Sequence, residues 1–186
     1  MRPDVEGFRI RHDVRGPYLL YAGRIDAGKG CAEMLAFYER YRRDCRGAAG
    51  LLLIGRLAMP EPRVPGVRYL GYLAEAEKHA ALAGASAVVC PSPYESLSIT
   101  LLEALAHGSP ALASARSPVL KDHCVRSQAG LYYASGAEFV EAADLLVRET
   151  ALRTALGERG RAYVSENYRW DVVLAKYRAA IAAVSR

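Results

Sequence analysis

Several familiar signals are missing from this 186-residue sequence, and each absence removes a class of protein. No apolar run approaches the roughly 20 residues that span a bilayer. The opening residues, Met1 to Glu6, lack the apolar core of a secretory signal. The four cysteines, Cys31, Cys45, Cys90 and Cys124, form no CxxC pair and no metal-ligand spacing. They read as reduced thiols of a cytoplasmic protein, with Cys90 closing an apolar run as a small buried hydrophobe. Neither the Walker phosphate loop nor the dinucleotide fingerprint occurs, which disfavours both of those nucleotide-binding classes. There is no repeat, low-complexity tract or interdomain linker, and no aromatic-basic platform for nucleic acid.

What remains is ordinary soluble-domain composition, 52% hydrophobic and 24% charged, with enough chain for one substantial core. The net charge of +5 comes from arginines that crowd the last third. Solvated helix faces account for them, and a peripheral contact with anionic lipid stays open. Short apolar runs at 18–22, 50–54, 67–70, 87–90 and 110–113 read as strands, with a possible sixth at 131–133. Being apolar on both faces, they suit parallel strands buried between helices. Amphipathic runs at 31–43, 75–82 and 99–107 alternate with them. Gly108 and Pro110 stop the third helix, Ser117-Pro118 and Ser135 with Glu138 begin two more, and the last third is helical. The alternation predicts an α/β fold, a doubly wound Rossmann-like parallel sheet with helices on both faces. Residues 1–16 read as a polar, mobile lead-in and residues 17–186 as the domain.

Two motifs follow predicted strands, so both belong at the carboxyl edge of that sheet, where such folds bind ligands. The first is Gly23-Arg24-Ile25-Asp26-Ala27-Gly28-Lys29-Gly30. Gly23 lets backbone approach a ligand, Arg24 can fork onto a phosphate, and Lys29 adds a compact charge. Alone, it reads equally well as a strand-to-helix loop with exposed cations. The second runs from Pro91 to Pro110 and holds Glu95 in a loop and Glu103 in the following helix. Carboxylates are repelled by a diphosphate but accept hydrogen bonds from vicinal sugar hydroxyls. The helix start near Ser98 supplies N–H groups and partial positive charge for an anion.

These residues resemble the carboxy-terminal, donor-binding domain of glycosyltransferase family 4, retaining enzymes of the GT-B fold. Gly23-Arg24…Lys29-Gly30 is similar to the family's diphosphate motif, and Glu95 through Glu103 to its E-x7-E segment. Val67 through Tyr72, and Tyr168-Arg169-Trp170, resemble its middle strand and the entry to its terminal helix. The resemblance covers about residues 17 to 184. It implies that Arg24 and Lys29 bind the donor diphosphate and stabilise it as it leaves, and that Glu95 contacts the transferred hexose. Glu103 would accept from the ribose hydroxyls, and the backbone of Leu97, Ser98, Ile99 and Thr100 would approach phosphate or sugar. The base would rest by Gly55, Arg56 and Gly71-Tyr72-Leu73. The donor would be a nucleotide diphosphate sugar, with no cofactor and no metal.

Three departures accompany the match. Serine stands at position 98 where the family usually has glycine, and could crowd the sugar. Ser114-Ala115-Arg116-Ser117 replaces a frequent glycine pair, and Arg116 could add an anion contact. The amino-terminal acceptor domain of a GT-B enzyme is not part of this sequence, so an excised domain or a stand-alone module is expected, inactive or weakly active alone. In such enzymes the terminal-helix stripe, here from Trp170 to Val184, also packs across the domain junction. Two other functions stay open, a non-catalytic interaction module and half of a nucleotide-sugar epimerase. His107 reads as structural, its charge favoured by a helix C-terminus. His123 has no assigned role, and Trp170 reads as a core anchor opening the apolar stripe.

Overall fold

A computed structural model describes residues 3–184; the ends of the expected ranges, residues 1–2 and 185–186, lie outside it. Six strands, β1 (Tyr18–Ala22), β2 (Gly50–Ile54), β3 (Val67–Tyr69), β4 (Ala87–Cys90), β5 (Ala111–Ser114) and β6 (Gly130–Tyr133), pair in the order β3-β2-β1-β4-β5-β6. Every pairing is parallel. Among the described residues eight helices are interspersed: α1 (Val5–Arg11), α2 (Cys31–Asp44), α3 (Glu75–Gly84), α4 (Ile99–His107), α5 (Pro118–Ser127), α6 (Gly136–Arg148), α7 (Thr150–Asn167) and α8 (Trp170–Val184). The doubly wound, Rossmann-like α/β expectation holds. The possible sixth strand exists, one residue longer than its apolar run.

Alternation along β1 shows how the sheet sorts its two cores. Tyr18, Leu20 and Ala22 face one cluster, with Leu82, Leu101 and Leu105, while Leu19 and Tyr21 face the other, with Met34, Tyr38 and Phe139. All five β1 residues are buried, as a central parallel strand requires. Ser117 and Ser135 cap α5 and α6 through their side chains. Glu138 reaches back to the Ala134 N–H at 2.7 Å, one residue before the cap.

Two expectations need correction. Residues 5–11 of the expected mobile lead-in form α1, capped by the Asp4 carboxylate accepting from the Gly7 N–H. Phe8 is fully buried, and Arg11 and His12 bond Glu77 of α3. A single apolar anchor in a polar run carries too little periodicity to announce a helix. Trp170, expected as a core anchor, is 80% exposed, and α8 buries none of its residues. Its stripe of Leu174, Tyr177, Ile181 and Val184 faces outward.

The order reverses at β1, whose neighbours β2 and β4 lead the chain in opposite directions. Loops after β1 and β4 therefore diverge and leave a crevice beyond the strand ends. Both sequence motifs occupy those loops.

Candidate active site

The crevice has two lobes sharing Ala22, Gly23, Arg24 and Thr100. The first, about 470 Å³, is lined by Arg24, Lys29, Glu95 and the stretch from Ser96 to Thr100. The second, about 280 Å³, is lined by Arg24, Arg56, Tyr72, Glu75 and Lys78.

The basic loop owes its shape to Asp26, which sequence reasoning passed over. Its Oδ1 accepts the Lys29 N–H at 2.8 Å, and its Oδ2 contacts the Arg24 guanidinium. The Lys29 N–H first and the Arg24 side chain next hold the Asp26 carboxyl below its usual pKa. Tyr21 donates its hydroxyl to the Arg24 carbonyl at 2.6 Å. Gly30 then joins the two motifs: it caps α2 with φ +75°, and a Cβ there would lie 2.4 Å from the Pro91 carbonyl oxygen. Only glycine allows that conformation and that approach without strain.

In the first lobe Lys29 Nζ sits 2.9 Å from Glu95 Oε1. The N-terminus of α4 enters this lobe, where the first N–H groups of a helix have no intrahelical partner. Ser98 precedes it with φ +61° and ψ 74°, a left-handed conformation that costs an L-residue about 1–2 kcal/mol. The serine departure is therefore first a backbone matter: the position favours glycine whatever a sugar requires. Arg116 does not line either lobe; its guanidinium is 3.5 Å from Glu33.

Glu103 reaches the second lobe through Lys78, whose Nζ is 2.9 Å from Glu103 Oε1 and 3.0 Å from Glu75 Oε2. Burial works against the Lys78 charge, but the hydrogen bonds it donates to Glu103 and then Glu75 outweigh it and raise its pKa. Arg56 follows β2, and the Gly55 N–H donates to the Gly71 carbonyl at 2.8 Å. Tyr72 is 81% exposed on the wall this tie creates. Thus Gly23, Arg24, Lys29, Glu95, Leu97, Ser98, Ile99, Thr100, Arg56 and Tyr72 all line the cleft, and Glu103 joins it by its ion pair. Asp26 could have been read from its place between the two cations. Lys78 could not, because a lysine in the second turn of an amphipathic helix looks like any solvated one.

Two histidines outside the cleft lining make hydrogen bonds of their own. His107 Nε2 is 2.8 Å from His79 Nδ1, and burial, then His79, lowers the His107 pKa. Its structural role stands, but the charge expected from the helix dipole does not, because desolvation outweighs it. His123 is buried under the 96–98 loop, with Nε2 2.9 Å from the Leu97 carbonyl.

The description "Glycosyl transferases group 1" matches residues 5–163. Glycogen synthase of Thermus thermophilus is 34% identical over 134 residues, 69% of this chain and 30% of that protein. The chain thus spans about a third of that curated relative. Sucrose-phosphate synthase from Thermosynechococcus elongatus superposes with a TM-score of 0.78 at 23% identity, covering 96% of this chain and 49% of that one. HepE of Anabaena, solved in complex with UDP and glucose, gives 0.77 at 16% identity, covering 98% and 52%. The two structures share the fold. The family match spans most of the sheet and both cleft motifs, and so the chain belongs to the group 1 glycosyl transferases.

Proposed function

We propose that this chain is the carboxy-terminal, nucleotide-sugar-binding half of a retaining family 4 glycosyltransferase, which moves a hexosyl group from a nucleotide diphosphate sugar to an acceptor held by a second domain. One observation carries the reading: a single cleft at the strand ends gathers cations, a helix N-terminus and two carboxylates, the chemistry of a nucleoside diphosphate joined to a sugar. Arg24, Lys29 and the α4 N-terminus take the diphosphate. Glu95 takes sugar hydroxyls, Glu103 the ribose, and Arg56 with Tyr72 flanks the base. As the anomeric C–O bond breaks, negative charge grows on the departing phosphate oxygen, and donors already aimed there lower the barrier. That HepE is described with UDP and glucose supports this donor class.

Within the cleft Lys29 pairs with Glu95, and Lys78 with Glu103. The Lys29–Glu95 pair is partly exposed, and such pairs contribute about 0–1 kcal/mol. A donor that brings a diphosphate for Lys29 and hydroxyls for Glu95 replaces that contact at little cost. No described helix is long and apolar enough to cross a membrane. The unpaired cysteines suit a cytoplasmic protein, and the basic surface suits peripheral contact with its membrane.

Calorimetry with UDP, ADP and GDP tests the reading. Binding of at least one nucleotide, weakened roughly 30-fold in Arg24→Ala, is the expected result. Silence toward all three, or binding indifferent to Arg24→Ala, overturns it.

A further inference from the structure

His123 of α5 is 3% exposed and touches the wall of the first lobe from behind. Both ring nitrogens are engaged: Nε2 lies 2.9 Å from the Leu97 carbonyl oxygen and Nδ1 lies 3.0 Å from the Tyr163 hydroxyl. The Tyr163 hydroxyl is in turn 3.4 Å from that of Tyr168. A carbonyl only accepts, so Nε2 must carry a proton. In the neutral ring Nδ1 is then the acceptor, and Tyr163 donates to it. Burial lowers the His123 pKa, which keeps the ring neutral at pH 7. One tautomer satisfies the whole chain of contacts.

The Leu97 carbonyl is half of the peptide unit whose other half is the Ser98 N–H. In a trans peptide those two bonds point in opposite directions. Pinning the carbonyl back toward His123 therefore turns the Ser98 N–H forward, toward the lobe that Leu97 and Ser98 line. The pin is needed because Ser98 holds a left-handed conformation that serine does not favour on its own. We infer that His123, fixed in one tautomer by Tyr163, is a positioning residue that sets the 97–100 backbone to receive the donor's diphosphate. The inference rests on the donor reading and adds to it a residue outside the cleft.

The test measures nucleotide affinity of the chain and its variants at a temperature where circular dichroism shows each to be folded. His123→Leu removes the donor to Leu97, and the dissociation constant rises roughly tenfold. Tyr163→Phe keeps the ring and frees its tautomer, for a rise of about threefold. His123→Gln retains an amide donor and recovers most of the loss. A residue that only fills the core lowers the melting temperature but leaves the affinity of the folded protein unchanged, and that result overturns the inference. Should His123→Leu not fold, Tyr163→Phe decides in the same way. If Arg24→Ala weakens binding while the His123 and Tyr163 variants bind normally, the donor reading stands and the positioning role falls. If the unmodified chain binds no nucleotide, both fall.

Discussion

Each lobe of the cleft holds one lysine, against one carboxylate in the first and two in the second, and the groups are mounted differently. Lys29 and Glu95 sit on loops that follow β1 and β4, brought together across 66 residues. Lys78 and Glu103 project from two regular helices, α3 and α4, and Glu75 gives the lysine a second partner. Loop-mounted groups can exchange partners with a ligand, whereas helix-mounted groups stay where the packing of α3 on α4 puts them. Lys78 occupies only Glu103 Oε1, which leaves the other oxygen for the ribose contact proposed above. Under the proposed function the first lobe opens its ion pair and the second keeps it.

The largest expected effect is on the cation common to both lobes. Arg24→Ala weakens nucleotide binding by about 2 kcal/mol, roughly 30-fold, by calorimetry. The two glutamates then separate the lobes. Glu103→Ala weakens binding of the free nucleotide by about 1.5 kcal/mol. Glu95→Ala leaves the free nucleotide unaffected or slightly tighter, since Lys29 is released, and weakens only the nucleotide sugar. Equal losses for the free nucleotide in both variants break the comparison.

Acid should weaken the fold, because two histidines are held toward the neutral form. Burial lowers the pKa of His107, one turn beyond Glu103, and of His123, under Leu97. The unfolded chain, with histidines near 6.5, binds protons more readily, so their contribution is complete above that pH and is lost as pH falls below it. Thermal melts from pH 7.5 to 5 should show a falling midpoint; a constant or rising midpoint contradicts the assignment. The smallest effect belongs to the loop lobe alone. Ser98→Gly relieves the left-handed strain but adds backbone entropy to the unfolded chain, for a net gain of about 0.5 kcal/mol in stability by denaturant titration.

The doubly wound sheet was readable because buried parallel strands are apolar on both faces and leave short unbroken runs, as in Leu51-Leu52-Leu53. The cleft's loop half was readable because its cations and carboxylates follow those strands directly. The rest lay in tertiary contacts without local pattern. Lys78 becomes a site residue only once α3 packs beside α4. His123 acquires its partners from loops and helices 26 and 40 residues away. Trp170 and α8 show the reverse limit: an apolar stripe states that a face is apolar, and where that face points is set by what lies against it.

The most direct test is a crystal structure of the chain with the nucleotide that binds it best. The account predicts diphosphate at Arg24, Lys29 and the α4 N-terminus, with Lys29 released from Glu95. It predicts ribose hydroxyls on Glu103 while the Lys78–Glu103 pair stays intact. A nucleotide bound outside the cleft, or bound within it with Lys29 still held by Glu95 and Lys78 displaced, would contradict it.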